Sequence, residues 1–255
     1  MAIFDHVKNI LFFLRLIWRG WYYIMVLIGI LLVLPFIIVA VQRVEWYPFF
    51  FKCARFWARF ILFTMGFRLR IDYRYRPESH EQFIFCANHT SEMDIMTALA
   101  VLPNHFVFIG KKELGKIPLF GYFYKRSSIL VDRSSFRSRK SVYEKARTRL
   151  NDGSTGVFIF PEGGVPDEKY LLAPFKGGAF RLSTELQIPI IPLTFVNHKE
   201  RFPYSFNYGG PGVLRVVVHP PVAPDPNGIE DVDRLEKEVY GIIRRELEQQ
   251  GKTGK

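Results

Sequence analysis

The sequence predicts an α/β domain, with a mixed, mainly parallel sheet covered by helices, behind an N-terminal helical membrane anchor. Three observations carry this. From Arg70 onward, short apolar runs of strand character alternate with segments of helical period. Upstream, Gly20 to Val41 contains no charged residue and is long enough to cross a bilayer. Aromatic residues crowd beside arginines in the first 70 residues, which is interfacial placement and not that of a base-stacking platform. The division therefore falls at residue 70, with membrane-associated helices over 1–69 and the α/β domain over 70–255.

Taken in order, Gly20–Val41 would span about 33 Å as a helix at ~1.5 Å per residue. Arg19 and Arg43 bracket it, with Trp18, Trp21, Tyr22 and Tyr23 at one end and Trp46 and Tyr47 at the other. The run is too long for a signal peptide, and no small-residue cleavage site precedes Gln42. Pro35 is placed to kink it, so a spanning helix and a bent, half-inserted hairpin both fit. Arginine on both flanks leaves orientation open. Tyr47–Phe67 follows with Lys52, Arg55 and Arg59 on one helical face and Phe49, Phe50, Phe56, Trp57, Phe60, Ile61 and Phe63 on the rest. This pattern predicts a basic amphipathic helix lying on anionic headgroups; packing on the soluble domain is the alternative.

Strands are expected at Phe83–Ala87, Phe106–Ile109, Ser128–Val131, Val157–Phe160, Ile190–Phe195 and Val213–His219. Helices are expected at Glu92–Val101, Phe136–Leu150, Phe175–Leu186 and Asp231–Glu248. The last has Val232, Leu235, Val239, Ile242, Ile243 and Leu247 as its apolar face. The polar tail Gln250–Lys255 is expected to fray. The net charge of +11 and pI of about 9.7 suit an anionic membrane, an acidic partner or phosphorylated substrates. Nucleic acid is not expected, because neither zinc-finger spacing nor an RNA-binding aromatic motif occurs. The two cysteines, Cys53 and Cys86, have no metal spacing and no disulfide framework, which fits a reducing compartment.

The chemistry centres on Asn88-His89-Thr90-Ser91-Glu92-Met93-Asp94, directly after an apolar strand. A histidine at a strand end is suited to take a proton near neutral pH, and a carboxylate on its other ring nitrogen would fix the tautomer. No serine or cysteine nucleophile is wired to the pair, so the substrate is expected to bring its own, a hydroxyl. On a regular helix, positions i and i+5 are rotated by about 140° and share no face. They meet if His89 precedes the helix and Asp94 lies in its first turn, with Ser91 as N-cap. Ser91-x-x-Asp94 also reads as a capping box, in which Asp94 only caps the helix.

His89 and Asp94 match the HxxxxD motif of the glycerolipid acyltransferases, and further segments follow in that family's order. Lys111-Lys112-Glu113-Leu114 with Ile117-Pro118 and Gly121 resembles the segment after its second strand. Ser128-Ile129-Leu130-Val131-Asp132-Arg133 resembles its second motif, Phe160-Pro161-Glu162-Gly163-Gly164 its third, and Ile188-Pro189-Ile190-Ile191-Pro192 its fourth. The resemblance covers about residues 80–200 and implies a glycerol-3-phosphate acyltransferase-like fold. It implies that His89 deprotonates an acceptor hydroxyl, which attacks an acyl thioester without a covalent acyl-enzyme. It implies acyl-CoA or acyl carrier protein as co-substrate, no cofactor and no metal, membrane lipids and a lysophospholipid acceptor as partners, and phospholipid biosynthesis as the setting. The site implied is cytoplasmic, on a bacterial inner membrane.

Asn88, Lys111, Lys112, Arg133, Glu162, Gly163, Gly164 and Lys176 are the expected substrate-binding residues. Arg133 and the lysines would contact phosphate. Glu162 would hold an acceptor hydroxyl or brace the loop, and the two glycines would permit close backbone approach. One departure stands out. The family's third motif usually continues Glu-Gly-Thr-Arg, with the arginine associated with the acceptor phosphate, whereas this chain has Glu162-Gly163-Gly164-Val165. A lysophosphatidate acceptor held by other cations and a lyso-amino-acid lipid acceptor are the two readings, and an inert lipid-binding or tethering protein is the rival from another class.

Overall fold

The structure, a computed structural model, describes residues 2–132, 136–151, 153, 155–167, 169–206, 208–226 and 231–253. The chain forms two compact units. One comprises Met1–Arg70, Thr90–Val101 and Asn197–Arg215; the other comprises Ile71–His89, Leu102–Val196 and Val216–Lys255. The N-terminal helices thus share their unit with two later segments that the boundary at residue 70 had assigned elsewhere.

In the first unit, α1 (Ala2–Ala40) is one helix that continues through Pro35. It starts well before Gly20 because the preceding residues are also mostly apolar. α2 (Tyr47–Thr64) returns against it: Trp21 donates its indole N–H to Thr64 O at 3.1 Å, and Trp57 donates to Val26 O at 3.4 Å. Gly29 makes the close approach possible, since a Cβ there would lie 2.7 Å from Trp57 Cδ1. The larger apolar side chains of α1 that are buried, Tyr22, Met25, Ile30, Val33 and Ile37, with Ala40, recur largely at helical spacing. Ile17, Ile24, Leu27, Leu31, Phe36 and Val39 leave an apolar face exposed. Lys8–Ala40 is long and apolar enough to cross a membrane.

Two of the three basic residues of α2 have acceptors within the protein. Arg55 Nε donates to Leu99 O at 3.2 Å and Arg59 Nη2 to Ala100 O at 3.3 Å. Both carbonyls lie in the last turn of α3 (Met93–Val101), which lacks intrahelical donors and carries the negative end of the helix dipole. Two residues of that face thus meet the end of a neighbouring helix, although Arg59, like Lys52, remains exposed. Arg19 is similarly enclosed at 5 % exposure. Its guanidinium lies 3.7 Å over the Phe202 ring and donates to Pro203 O and Ser205 O. Trp18 and Tyr22 pack edge-on or tilted against the same ring.

The second unit is built on the sheet, whose order is β1-β7-β6-β2-β5-β3-β4. The strands are β1 (Phe67–Tyr73), β2 (Ile84–Ala87), β3 (Phe106–Lys111), β4 (Ser128–Val131), β5 (Gly156–Ile159), β6 (Ile190–Phe195) and β7 (Gly212–Val218). β6-β2-β5-β3-β4 run parallel and β7 is antiparallel to β6, as the mixed, mainly parallel prediction requires. Central β2, β5 and β6 are buried at every position, which is why they read as continuous apolar runs. Phe85, Phe106 and Phe158 form the aromatic centre of this core.

α5 (Phe136–Leu150) packs on β4 and β5, α6 (Gly178–Leu186) on β2, and α8 (Asp231–Thr253) on β6. α8 continues past Glu248, so the tail expected to fray is helical through Thr253. α6 starts three residues later than expected, and the Lys176 N–H just before it is taken by Pro161 O at 2.9 Å. Two short helices, α4 (Phe120–Ser127) and α7 (His198–Arg201), complete the set.

Candidate active site

The parallel pairing of β2 with β5 sets the site's level. Cys86 is opposite Ile159, so three residues further on His89 and Glu162 leave the same sheet edge together. Asn88, just past β2, is 1 % exposed. Its amide donates to Phe195 O at 3.0 Å and accepts from Phe195 N at 2.8 Å, extending the β2–β6 pairing by one step. Expected among the substrate-binding residues, Asn88 is a strand brace whose carboxamide is engaged at both ends by β6.

His89 is half-buried, and its ring stacks on Phe160 with centroids 4.0 Å apart and planes 19° apart. Its backbone N–H donates to Glu162 Oε1 at 2.7 Å. Glu162 Oε2 accepts from Ala173 N at 2.9 Å, and the residue is 8 % exposed. Of the two roles open to Glu162, the structure displays the brace. One carboxylate joins the histidine's peptide to the segment that follows the Pro-Glu-Gly turn.

Gly163 has φ of +77°, a left-handed conformation that disfavours side chains. A Cβ there would also lie 2.3 Å from Lys176 Nζ. The ammonium of Lys176 therefore lies directly over the turn, where the sequence lacks the family's arginine. Gly164 is half-buried beside it. Lys111 ends β3 and is exposed, while Lys112 Nζ is 4.0 Å from Asp132 Oδ2 with most of its side chain in solvent. Arg133 lies outside the described residues.

Asp94 belongs to the other unit and is fully buried. Its Oδ2 accepts from Thr90 N at 2.7 Å and Ser91 N at 2.8 Å. Ser91 Oγ accepts from Met93 N at 3.1 Å and donates to Phe202 O at 2.7 Å. One half of the capping box is formed, Asp94 on Ser91 N, while Ser91 Oγ takes the Met93 N–H that opens α3. Capping does not exhaust Asp94, however. Its Oδ1 lies 2.6 Å from Nδ1 of His198, a residue that sequence reasoning passed over. His198 opens α7 and is also fully buried. The available signal was a histidine three residues after an apolar strand, legible only once β6 is known to flank β2. Cys86, in β2, is no rival nucleophile, because complete burial pushes its thiol far up from the usual range.

The acyltransferase family model matches residues 70–196. The 1-acyl-sn-glycerol-3-phosphate acyltransferase of Salmonella typhimurium is 28 % identical over 185 residues, covering 71 % of this chain and 74 % of its own. Its alpha counterpart from Ovis aries is 26 % identical over 250 residues, covering 95 % and 83 %. The crystal structure of the 1-acyl-sn-glycerophosphate (LPA) acyltransferase PlsC from Thermotoga maritima superposes with a TM-score of 0.77 at 21 % identity. It covers 95 % of this chain and 97 % of that one. With four motifs in order, the same fold and a family match over the strands that present them, the chain belongs to the acyltransferase family.

Proposed function

We propose that this chain acylates lysophosphatidate to phosphatidate at a membrane surface, using an acyl thioester of coenzyme A or of acyl carrier protein. The observation that carries the reading is His89, held at the sheet edge by its peptide and its ring, within a chain related to enzymes of that name. In the reaction, the acceptor hydroxyl oxygen attacks the thioester carbonyl carbon as His89 takes its proton. The tetrahedral intermediate collapses, the carbon–sulfur bond breaks, and the thiolate leaves as a thiol with a proton returned from the imidazolium. Such general-base chemistry needs a proton acceptor and an aligned hydroxyl, and we assign no cofactor to it.

Lys176 favours a phosphorylated acceptor over a lyso-amino-acid lipid, since it places a cation over the turn that lacks arginine. Exposed apolar α1 supports membrane attachment, and cytosolic donors support a catalytic domain on the cytoplasmic face of a bacterial inner membrane. The test is thiol release from acyl-CoA or acyl carrier protein, with vesicle-borne lysophosphatidate and with a panel of neutral and amino-acid lyso-lipids. Lysophosphatidate should be preferred, and His89→Ala should lower turnover by at least about 10²-fold with folding intact. Preference for a lyso-amino-acid lipid would move the assignment to that substrate, and an unimpaired variant would end the mechanism.

A further inference from the structure

Strands β2, β5 and β3 are parallel, so all three deliver their carboxyl ends to one edge of the sheet, where His89 stands. Two loops of the same unit leave from that edge and carry large apolar side chains into solvent. Leu114, Ile117 and Leu119 follow β3, and Val165, Tyr170 and Leu171 follow β5; they range from 38 % to 53 % exposed. Both loops are tied down. The first closes on itself through Gly121 N on Ile117 O at 2.7 Å, and a Cβ on Gly121 would lie 2.3 Å from Gly115 O. The second returns to the turn it left, through Ala173 N on Glu162 Oε2 and Lys176 N on Pro161 O, both at 2.9 Å. Leu119 also has φ of +60°, in the left-handed region that favours glycine. An exposed leucine there is unfavourable in water on two counts, and transfer of its side chain to lipid relieves one of them.

We infer that these two loops form a lipid-facing rim, by which the sheet-bearing unit itself seats on an anionic bilayer with its His89 edge toward the headgroups. This rests on the reading that the chain works at a membrane surface. Apolar side chains interspersed with lysine suit an interface, where the chains enter the acyl boundary and the ammonium groups stay with the phosphates. Lys111, Lys112 and Lys116 are exposed around the first loop, with Glu113 among them. On the second loop, Lys169 pairs with Asp167 at 3.4 Å. The positive excess therefore lies beside Leu114, Ile117 and Leu119, where each lysine adds attraction to anionic lipid. A second copy of the chain would set the same lysines against these and be repelled. The rim also has a use in the reaction. An acceptor hydroxyl lies at headgroup depth, and a rim on the His89 edge brings base and hydroxyl to one level without lifting the lipid from its leaflet.

The test uses the full-length chain carrying Cys53→Ser, since the buried Cys86 thiol does not label. An environment-sensitive fluorophore is attached at single cysteines, Ile117→Cys and Leu171→Cys on the rim. His80→Cys is the control at the opposite end of the strands, where the Asn104 amide, just ahead of β3, donates to Glu78 O at 2.6 Å and Glu81 O at 2.8 Å. Leu31→Cys, on the exposed face of α1, reports whether the chain enters lipid at all. On mixed phosphatidylcholine–phosphatidylglycerol vesicles holding a lipid-borne quencher, the Ile117→Cys, Leu171→Cys and Leu31→Cys labels should be quenched and the His80→Cys label should not. The double variant Ile117→Asn, Leu171→Asn is assayed on the same vesicles with whichever lyso-lipid the wild type acylates fastest. Its acceptor KM should rise about ten-fold or more with kcat and Tm unchanged, because two apolar side chains no longer transfer to lipid. Quenching of the Leu31→Cys label without the rim labels would overturn the inference, as would equal quenching at His80→Cys or an unchanged KM. Shielding of the rim labels by acyl carrier protein, or by rising protein concentration in detergent, with none from lipid, would overturn it in favour of a protein partner. Absence of quenching at Leu31→Cys and on the rim alike would remove the membrane reading and the inference with it.

Discussion

Replacing Glu162 by glutamine tests how the histidine is held. The carboxylate accepts His89 N at 2.7 Å on one oxygen and Ala173 N at 2.9 Å on the other, in a site 8 % exposed. Glutamine has one carbonyl oxygen to offer and turns an NH₂ group toward the second N–H. One charge-assisted bond becomes a neutral one and the other becomes donor against donor. Hydrogen bonds to charged groups contribute about 1.5–3 kcal/mol, and an unsatisfied buried donor costs about 1–3 kcal/mol. The expected destabilisation is therefore about 2–4 kcal/mol, or about 5–15 °C in Tm for a chain of this size. The same change frees the His89 peptide, and misplacement of a reacting group by about 1 Å costs up to ~10²-fold. Thermal unfolding in detergent and thiol-release kinetics should show Tm and kcat falling together, with acceptor KM little changed. An unchanged Tm with a raised acceptor KM would refute the brace and assign Glu162 to the acceptor hydroxyl.

Two further outcomes are expected. Arg55→Gln and Arg59→Gln should each lower stability by about 0.3–1 kcal/mol through loss of charge at the α3 C-terminus. Vesicle co-sedimentation should show binding to anionic and neutral lipid unaltered, whereas selective loss on anionic vesicles at constant Tm would restore the headgroup role. His219, hydrogen-bonded to Thr194 at 2.9 Å, has its pKa pushed down to about 4 by burial, with Arg74 adding to the effect. Between about pH 6.5 and 4 the unfolded chain binds the proton and the folded chain does not, so stability falls as pH drops through that window, by at most about 3 kcal/mol. The Tm gap between the wild type and His219→Gln should narrow on acidification across this range; a gap independent of pH would exclude the histidine.

The strands were legible because a parallel sheet buried on both faces demands unbroken apolar runs, and β2, β5 and β6 are such runs. β1 escaped notice for the opposite reason. It alternates, with Arg68, Arg70 and Asp72 among its residues, and only its first position is buried. Spacing placed Arg55 and Arg59 on one face of α2, but a face carries no label for what it meets, and the α3 carbonyls it meets come 44 and 41 residues later in the chain. The candidate site divides in the same way. His89, Asp94 and the Pro-Glu-Gly turn stand in the sequence as local motifs. The partners that hold them are set by strand order: Glu162 is 73 residues from His89, and His198 is 104 from Asp94.

The enclosure of Arg19 has a consequence for biogenesis. The carbonyls that receive its guanidinium belong to Pro203 and Ser205, 184 and 186 residues downstream. A nascent chain lengthens at about 5–20 residues per second, so the cation waits roughly 10–40 s for its final acceptors. Throughout that interval the apolar helix beyond it is already synthesised and ready to partition into lipid. Arg19 lies within α1, so until residues 197–215 emerge its charge has to be met by water or by polar groups other than its final acceptors. Completion of the first unit therefore comes late in synthesis, its last polar bonds to Arg19 forming only after Pro203 and Ser205 are made.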